Sequence, residues 1–167
     1  MSRFKLIAFI ALITLAFGVA LVSDALAGEK VKGRIVGYTV KWEQVGVGDQ
    51  EGHVIAVLED KGIDSGLMGG TLPAERLYRG VTLLDANLKT WVGSMVAYAE
   101  YTDRDGDKYY DQTKGKLVGK GGWEGEWAFI KGTGKYEGIK GKGTWSGVTL
   151  GPMQWYVDYE GEMKLPR

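Results

Sequence analysis

The chain has 167 residues with 21 basic and 21 acidic side chains, so its formal net charge at neutral pH is zero. This balance gives no electrostatic basis for binding nucleic acid or an anionic membrane surface. The sequence contains no cysteine, which excludes disulfides, a catalytic thiol and structural zinc held by cysteine. The fold must therefore depend on its core and its backbone hydrogen bonds.

The first 27 residues have the pattern of a secretory signal peptide. Arg3 and Lys5 form a positive start, residues 6–22 are apolar and uncharged, and an A-x-A cleavage site ends at Ala27. The apolar stretch is close to the ~18 residues of a spanning helix, so an uncleaved anchor is the alternative. We expect cleavage after Ala27, a secreted or periplasmic location, one domain over residues 28–167 and no membrane insertion of the mature protein.

The mature chain has the pattern of β-strands throughout. Apolar and polar residues alternate, with many aromatic and β-branched side chains, as is typical of half-buried strands. The pattern predicts eight strands, at residues 31–45, 53–58, 77–84, 90–101, 108–117, 122–130, 141–150 and 153–164. In the first strand, the residues predicted to share the apolar face are Val36, Tyr38, Val40 and Trp42.

Mostly short, glycine-bearing turns connect these strands. Asp105-Gly106 favours a type I′ hairpin turn, in which both central residues have a positive φ. Residues 59–76 are the exception, and the pattern assigns them to an irregular surface loop with a helical turn at residues 73–76. Strands of this number favour an all-β fold with a single eight-stranded antiparallel β-barrel, because closure removes exposed sheet edges. A two-sheet sandwich is the alternative.

One glycine-dense turn carries a family resemblance. The segment from Lys131 to Gly141, KGTGKYEGIKG, contains G-T-G-x-[FY]-x-G-x-x-G between two strands. It resembles the turn of allene oxide cyclases and, more loosely, of plant dirigent proteins, and is most similar to small secreted bacterial proteins of the same barrel class, many of them uncharacterised. Residues 101–108, YTDRDGDK, fit the same bacterial group.

The resemblance covers residues 90–164 and implies an eight-stranded antiparallel barrel of the allene oxide cyclase type. It also implies a homo-oligomer, since related barrels associate as dimers or trimers. No local match to the functional residues of the cyclases or the dirigent proteins is present, so none is carried over.

The glycines of this turn do not form a nucleotide site. Their spacing differs from a dinucleotide fingerprint, and they open a strand where that fingerprint opens a helix. Lys142-Gly143-Thr144 lacks the order of a phosphate-binding loop. We expect the glycines to shape a tight turn, with Tyr136 plugging the barrel.

The acidic turn before the fifth strand is the one candidate cation site. Asp103, Asp105, Asp107 and Asp111 alternate with other residues, and clustered oxygens suit a hard cation. However, the glycine is at the fourth position of the run, where an EF-hand has it at the sixth, and Lys114 occupies the position of the bidentate glutamate. We expect a hairpin turn with solvated carboxylates and no bound metal, and a weak calcium site is the alternative.

The aromatic residues are the better indication of function. Six tryptophans and nine tyrosines are more than a compact core requires, and large rings with polar tips suit an apolar or aromatic ligand inside a barrel. The predicted ligand-binding residues are Tyr38, Trp42, Trp91, Tyr98, Trp123, Trp127 and Trp155. The alternative is that the rings only fill the barrel.

No catalytic constellation is recognisable, and two residues remain as candidates. Glu100 shares a strand face with Val96 and Tyr98, and His53, the only histidine, precedes an apolar strand. The leading prediction is an exported barrel that binds a small hydrophobic or aromatic ligand without a cofactor. One alternative is a cofactor-independent cyclase or isomerase, marked by a buried carboxylate with a raised pKa beside a cavity. The other is a structural or interaction module of the cell envelope.

Overall fold

The computed structural model describes residues 28–66 and 75–165. The predicted signal peptide, residues 1–27, lies outside this part of the chain, as do residues 67–74 of the predicted loop. No helix in the described ranges is long and apolar enough to cross a membrane.

Eight strands form a closed barrel. Their bounds are β1 Glu29–Gly46, β2 His53–Gly66, β3 Glu75–Asn87, β4 Val92–Thr102, β5 Lys108–Val118, β6 Gly122–Gly132, β7 Lys140–Gly151 and β8 Gln154–Lys164. Each strand pairs antiparallel with the next one along the chain, and β1 pairs with β8 to complete the circle. The prediction of an all-β, eight-stranded antiparallel barrel is confirmed, and the two-sheet sandwich is excluded.

The predicted loop at residues 59–76 is the main departure from the sequence pattern. β2 continues to Gly66 and β3 begins at Glu75, so the described ends of this segment are strands. At this end of β2 the inward positions alternate aspartate with glycine, at Asp60, Gly62 and Asp64, and the first buried residue of β3 is Arg76. The alternation between inward and outward residues is present here, but the inward residues are polar or glycine. A pattern of alternating apolar residues therefore does not reveal this part of the strand.

The inner face of β1 also differs from the prediction. A register shift between Thr39 and Lys41 changes the phase of the strand, and one extra residue moves every later side chain to the opposite face. As a result, Trp42 packs against an inner cluster. The residues predicted to share its face but found exposed on the outer surface are Val36, Tyr38 and Val40.

The hairpin between β4 and β5 forms at the predicted place, but with another turn. Within it, Gly106 has a φ of 87°, whereas Asp105 is not among the residues with a positive φ. The turn is therefore not type I′, which needs a positive φ at both central residues. The Asp103 carboxylate instead accepts the N–H of Asp105 at 2.8 Å and of Asp107 at 3.1 Å, an aspartate-stabilised turn.

Large aromatic rings fit inside the barrel because glycines face them. A Cβ atom added to Gly33 would overlap the ring of Tyr159, and one added to Gly115 would overlap the ring of Trp145. Interiors of small barrels commonly combine large and small residues in this way. The high glycine content thus gives room to the aromatic core.

Tyr136 closes one part of this core. It belongs to the short 3₁₀ turn Gly134–Tyr136, is 0% exposed and packs edge-on against Tyr109 at a centroid distance of 5.0 Å. Its hydroxyl donates to Asp103 Oδ2 at 3.0 Å. The prediction that Tyr136 plugs the barrel is confirmed.

Candidate ligand site in the barrel interior

A cavity with a volume of about 70 Å³ lies inside the barrel, and all eight strands contribute to its lining. A water needs roughly 10–15 Å³, and an engineered cavity of about 150 Å³ binds benzene. The interior is therefore not completely filled, but it is smaller than a site for a six-membered ring. The aromatic residues of the lining are Tyr78, Tyr101, Tyr109, Trp123, Trp127, Phe129, Trp145, Trp155 and Tyr159.

Three buried carboxyl groups also line the cavity, on Asp60, Asp64 and Asp111. Burial of a charged carboxylate is costly unless it is paired or hydrogen-bonded. Desolvation accordingly raises the pKa of each of the three. Their different partners give them different properties.

Asp64 forms a buried ion pair with Arg76. The distance from Arg76 Nη2 to Asp64 Oδ2 is 2.7 Å, and both side chains are almost fully buried. The Tyr159 hydroxyl donates to Asp64 Oδ1 at 3.0 Å and accepts from Arg76 Nη2 at 3.1 Å. Burial raises the pKa of Asp64, and the guanidinium charge opposes that shift. The negative charge of Asp64 is thus balanced by the guanidinium of Arg76.

Asp60 is satisfied by hydroxyl groups. Thr39 Oγ1 donates to its Oδ1 at 2.7 Å, and Thr82 Oγ1 donates to its Oδ2 at 3.2 Å. Burial raises the pKa of Asp60, and these hydrogen bonds act in the opposite direction. Both of its oxygens already have partners.

Asp111 is only half satisfied. The Tyr101 hydroxyl donates to Asp111 Oδ2 at 2.9 Å, but Oδ1 has no hydrogen-bond partner in the described part of the chain. Burial, with a smaller contribution from the charge of Asp64, raises the pKa of Asp111 to about 7. A carboxyl group with this pKa can accept or donate a proton near neutral pH.

We expect the Asp111 side-chain carbon resonance to titrate near pH 7 in an NMR experiment. The pKa of Asp111 is higher in the folded state than in the unfolded state, so the unfolded state loses this proton at a lower pH. The contribution of Asp111 to the free energy of unfolding therefore falls between about pH 4 and pH 7. The difference in unfolding free energy between Asp111→Asn and the natural protein should therefore shift in favour of the variant over that interval. A midpoint below pH 5 would contradict the buried environment.

The structure brings only part of the predicted ligand-binding set to the cavity. Three of these residues line it, namely Trp123, Trp127 and Trp155. Two others pack against a separate aliphatic cluster, namely Trp42 and Trp91. The remaining two are about half exposed, namely Tyr38 and Tyr98.

Sequence reasoning did not assign the polar side of the cavity. Asp60, Asp64 and Arg76 lie in the segment predicted to be a loop, and Asp111 was noted only as part of the acidic run. The alternation of Asp60, Gly62 and Asp64 was the available signal, since it has the period of a strand. The opposing partners of these side chains are visible only in the closed barrel.

Glu100 lies away from the cavity. Its Oε1 is 2.8 Å from Lys108 Nζ on the neighbouring strand, and this hydrogen bond lowers the pKa of Glu100. The buried carboxyl groups with a raised pKa beside the cavity are instead Asp60, Asp64 and Asp111.

His53 lies at the start of β2, between two carboxylates. Its Nδ1 is 2.6 Å from Asp49 Oδ1, and its Nε2 is 2.9 Å from Asp85 Oδ1. The hydrogen bond to Asp85, followed by that to Asp49, raises the pKa of His53. The histidine therefore links a turn to β3.

We expect NMR titration of His53 to give a pKa above its ordinary value of 6.5. Asp85→Asn should lower that pKa, because it removes the largest contribution. The raised folded pKa means that this contribution to stability is complete below about pH 6.5 and is lost as the pH rises through the folded value. An unchanged His53 titration in Asp85→Asn would show that the contact has no effect in solution.

Asp103 is buried, although it was expected to be a solvated turn residue. Besides the two backbone N–H groups of its own turn, its carboxylate binds the Tyr136 hydroxyl and lies 2.5 Å from Lys135 Nζ. Burial alone would raise the pKa of Asp103, but the hydrogen bonds from Lys135 and Tyr136 lower it. In the described ranges, no three histidine or acidic residues are arranged so that they could hold a metal ion. The predicted candidates Asp103, Asp105 and Asp107 therefore do not form such a group.

The fold and the site together define a class, a closed eight-stranded antiparallel barrel with a small interior cavity lined by aromatic rings and carboxyl groups. A scan against models of known protein families found no match, and a search of curated proteins found no similar sequence.

Proposed function

We propose that this protein is a non-catalytic binding barrel that holds a small ligand in its interior cavity. The observation that carries the proposal is the unfilled volume of about 70 Å³ beside the half-satisfied carboxyl group of Asp111. Concave apolar sites with a few polar groups that fix orientation are typical of small-molecule binding. No cofactor is required for this role.

The cavity volume restricts the size of the ligand. A hydrophobic or aromatic ligand with a six-membered ring needs about twice the observed volume, so it would have to displace lining side chains. Met95 is one of the partly buried lining residues and is suited to such a movement, because methionine is flexible. A ligand of a few non-hydrogen atoms fits without rearrangement.

The experiment is an NMR titration of the purified domain with ethanol, phenol and ethylammonium. At least one of these probes should shift the methyl resonances of Met95 and Ala97 in a saturable manner, because both residues line the cavity. Ala97→Met would fill the cavity and should abolish the effect, whereas Ala128→Met, on the exposed face of β6, should leave it unchanged. If no probe shifts these methyl groups, the binding proposal fails.

A cofactor-independent isomerase or cyclase is the second candidate, and Asp111 is the observation that favours it. A buried carboxyl group with a pKa of about 7 can transfer a proton to and from a bound carbonyl compound. Exchange of the α-protons of acetone in D₂O, followed by NMR, tests this activity. Faster exchange that is lost in Asp111→Asn would favour the enzyme, and an uncatalysed rate would exclude this reaction.

Export, oligomerisation and kinship with allene oxide cyclase-type barrels complete the proposal. The mass of the protein recovered from its native cells should correspond to a chain that begins at Gly28.

Sedimentation velocity should give the mass of a dimer or trimer, since several apolar side chains are exposed on the outer surface. Among them are Leu83 on β3 and Val57 on β2, which pair directly. If the protein is a monomer, the exposed apolar surface would instead favour the third alternative, an interaction module of the cell envelope.

A further inference from the structure

The charges around the cavity do not balance. Three carboxyl groups line it, whereas none of its lining residues in the described part of the chain is a lysine, arginine or histidine. The nearby guanidinium of Arg76 is not in the lining and pairs with Asp64 through its Nε and Nη2 atoms. Asp60 and Asp111 therefore have hydroxyl partners but no cation.

Asp111 is the group that a ligand can complete. Its side chain is 4% exposed and lines the cavity, its Oδ2 is bound by Tyr101, and its Oδ1 has no partner among the described residues. An unsatisfied buried acceptor costs about 1–3 kcal/mol. A donor placed in the cavity would remove that cost.

The other walls are suited to a positively charged ligand. Trp123, Trp127 and Trp155 contribute rings to the lining, and the face of an aromatic ring attracts a cation within about 6 Å of its centroid. The same rings offer apolar surface to short alkyl groups. A carboxyl group surrounded by aromatic rings is thus complementary to an alkylammonium ion.

We infer that the ligand is a small organic cation, namely a primary or secondary alkylammonium ion, and this inference rests on the proposed binding function. The N–H of the cation donates to Asp111 Oδ1, and its carbon atoms lie against the tryptophan rings. An anion is disfavoured, because three carboxyl groups surround the space. A neutral hydrogen-bond acceptor can bind only to the protonated form of Asp111. The cavity volume of about 70 Å³ limits the ligand to a few non-hydrogen atoms.

The ionisation of Asp111 gives the inference a second, independent readout. Its pKa of about 7 means that raising the pH from 6 to 8 increases the ionised fraction and should tighten the binding of a cation. The tyrosines around it have pKa values above their ordinary value of 10 and stay neutral. The other titratable or charged groups around it are Asp60 and Asp64 on β2, Arg76 and Tyr78 on β3, Tyr101 on β4, Tyr109 on β5 and Tyr159 on β8.

The test is an NMR titration with ethylammonium, ethanol and acetate at pH 6 and pH 8. Ethylammonium, an amine protonated at both pH values as a lysine is, should bind about tenfold more tightly than ethanol or acetate at pH 8, and more tightly at pH 8 than at pH 6. Asp111→Asn should weaken it about tenfold or more, because a charged hydrogen bond is lost. Asp105→Asn, at an exposed turn, is the matched control and should have no effect.

The outcomes separate this inference from the binding function on which it rests. If ethanol or acetate binds as tightly as ethylammonium, or if Asp111→Asn leaves ethylammonium binding unchanged, the ligand class is wrong and the binding barrel stands. If no probe reaches the cavity, both fail. If Asp111→Asn does not fold, the pH dependence in the natural protein decides, and affinity that does not rise from pH 6 to pH 8 overturns the inference.

Discussion

Replacing Arg76 by methionine should lower the free energy of unfolding by about 3–5 kcal/mol. Arg76 is 2% exposed and holds the buried Asp64 carboxylate at 2.7 Å. Without the guanidinium, Asp64 keeps hydrogen bonds from tyrosine hydroxyls but no positive charge, so it must either remain charged in a region of low polarity or take up a proton. Urea denaturation followed by tryptophan fluorescence measures the effect.

Arg79→Met is the control for this prediction. Arg79 lies on the same strand, but it is exposed, and its contact with Glu59 is a surface pair at 3.1 Å. Such pairs contribute about 0–1 kcal/mol. The double variant Asp64→Leu with Arg76→Met should recover much of the loss, since replacing both partners by apolar groups is often close to neutral. Equal losses for Arg76→Met and Arg79→Met would refute the prediction.

Tyr136→Ala should also cost about 3–5 kcal/mol, the range observed when a large buried ring is removed. The ring is completely buried and packs against Tyr109, so its removal leaves a void that the closed barrel can only partly collapse to fill. Tyr136→Phe should cost about 1 kcal/mol, because it removes only the hydrogen bond to Asp103. Thermal unfolding followed by circular dichroism distinguishes the two variants.

Tyr38→Ala provides the comparison on the outer surface. Tyr38 is about half exposed, and substitutions at such positions usually change stability by less than about 1 kcal/mol. If Tyr136→Ala were no more damaging than Tyr38→Ala, the 3₁₀ turn would be an external loop and not the plug of the barrel.

Two atoms of the interior oppose folding, which helps to explain why the cavity is the candidate site. Asp111 Oδ1 and Arg76 Nη1 are buried without hydrogen-bond partners in the described ranges, and each such group costs about 1–3 kcal/mol. Local conflicts of this kind are expected at functional sites. The pairing of Asp64 with Arg76 supports the fold, whereas the half-satisfied state of Asp111 has no such structural use.

The sequence alone determined the strand count and the buried tyrosine of the turn, and it favoured a barrel over a two-sheet sandwich. Alternation of apolar and polar residues located seven of the eight strands to within a few residues and the start of β2 at His53, because a half-buried strand requires that period. The glycine-rich segment before β7 indicated a turn with a buried tyrosine, since Tyr136 is the one aromatic side chain of that segment.

The tertiary structure decided which polar residues meet inside the barrel. Asp60 and Asp64 on β2 and Asp111 on β5 are far apart in sequence, and only closure of the sheet places them around one cavity. The alternation of a strand states on which side a residue lies, but not what it faces across the barrel. The strands on the far side of the barrel exclude water from Asp111, and this desolvation raises the pKa of Asp111 to about 7. No local sequence pattern encodes that effect.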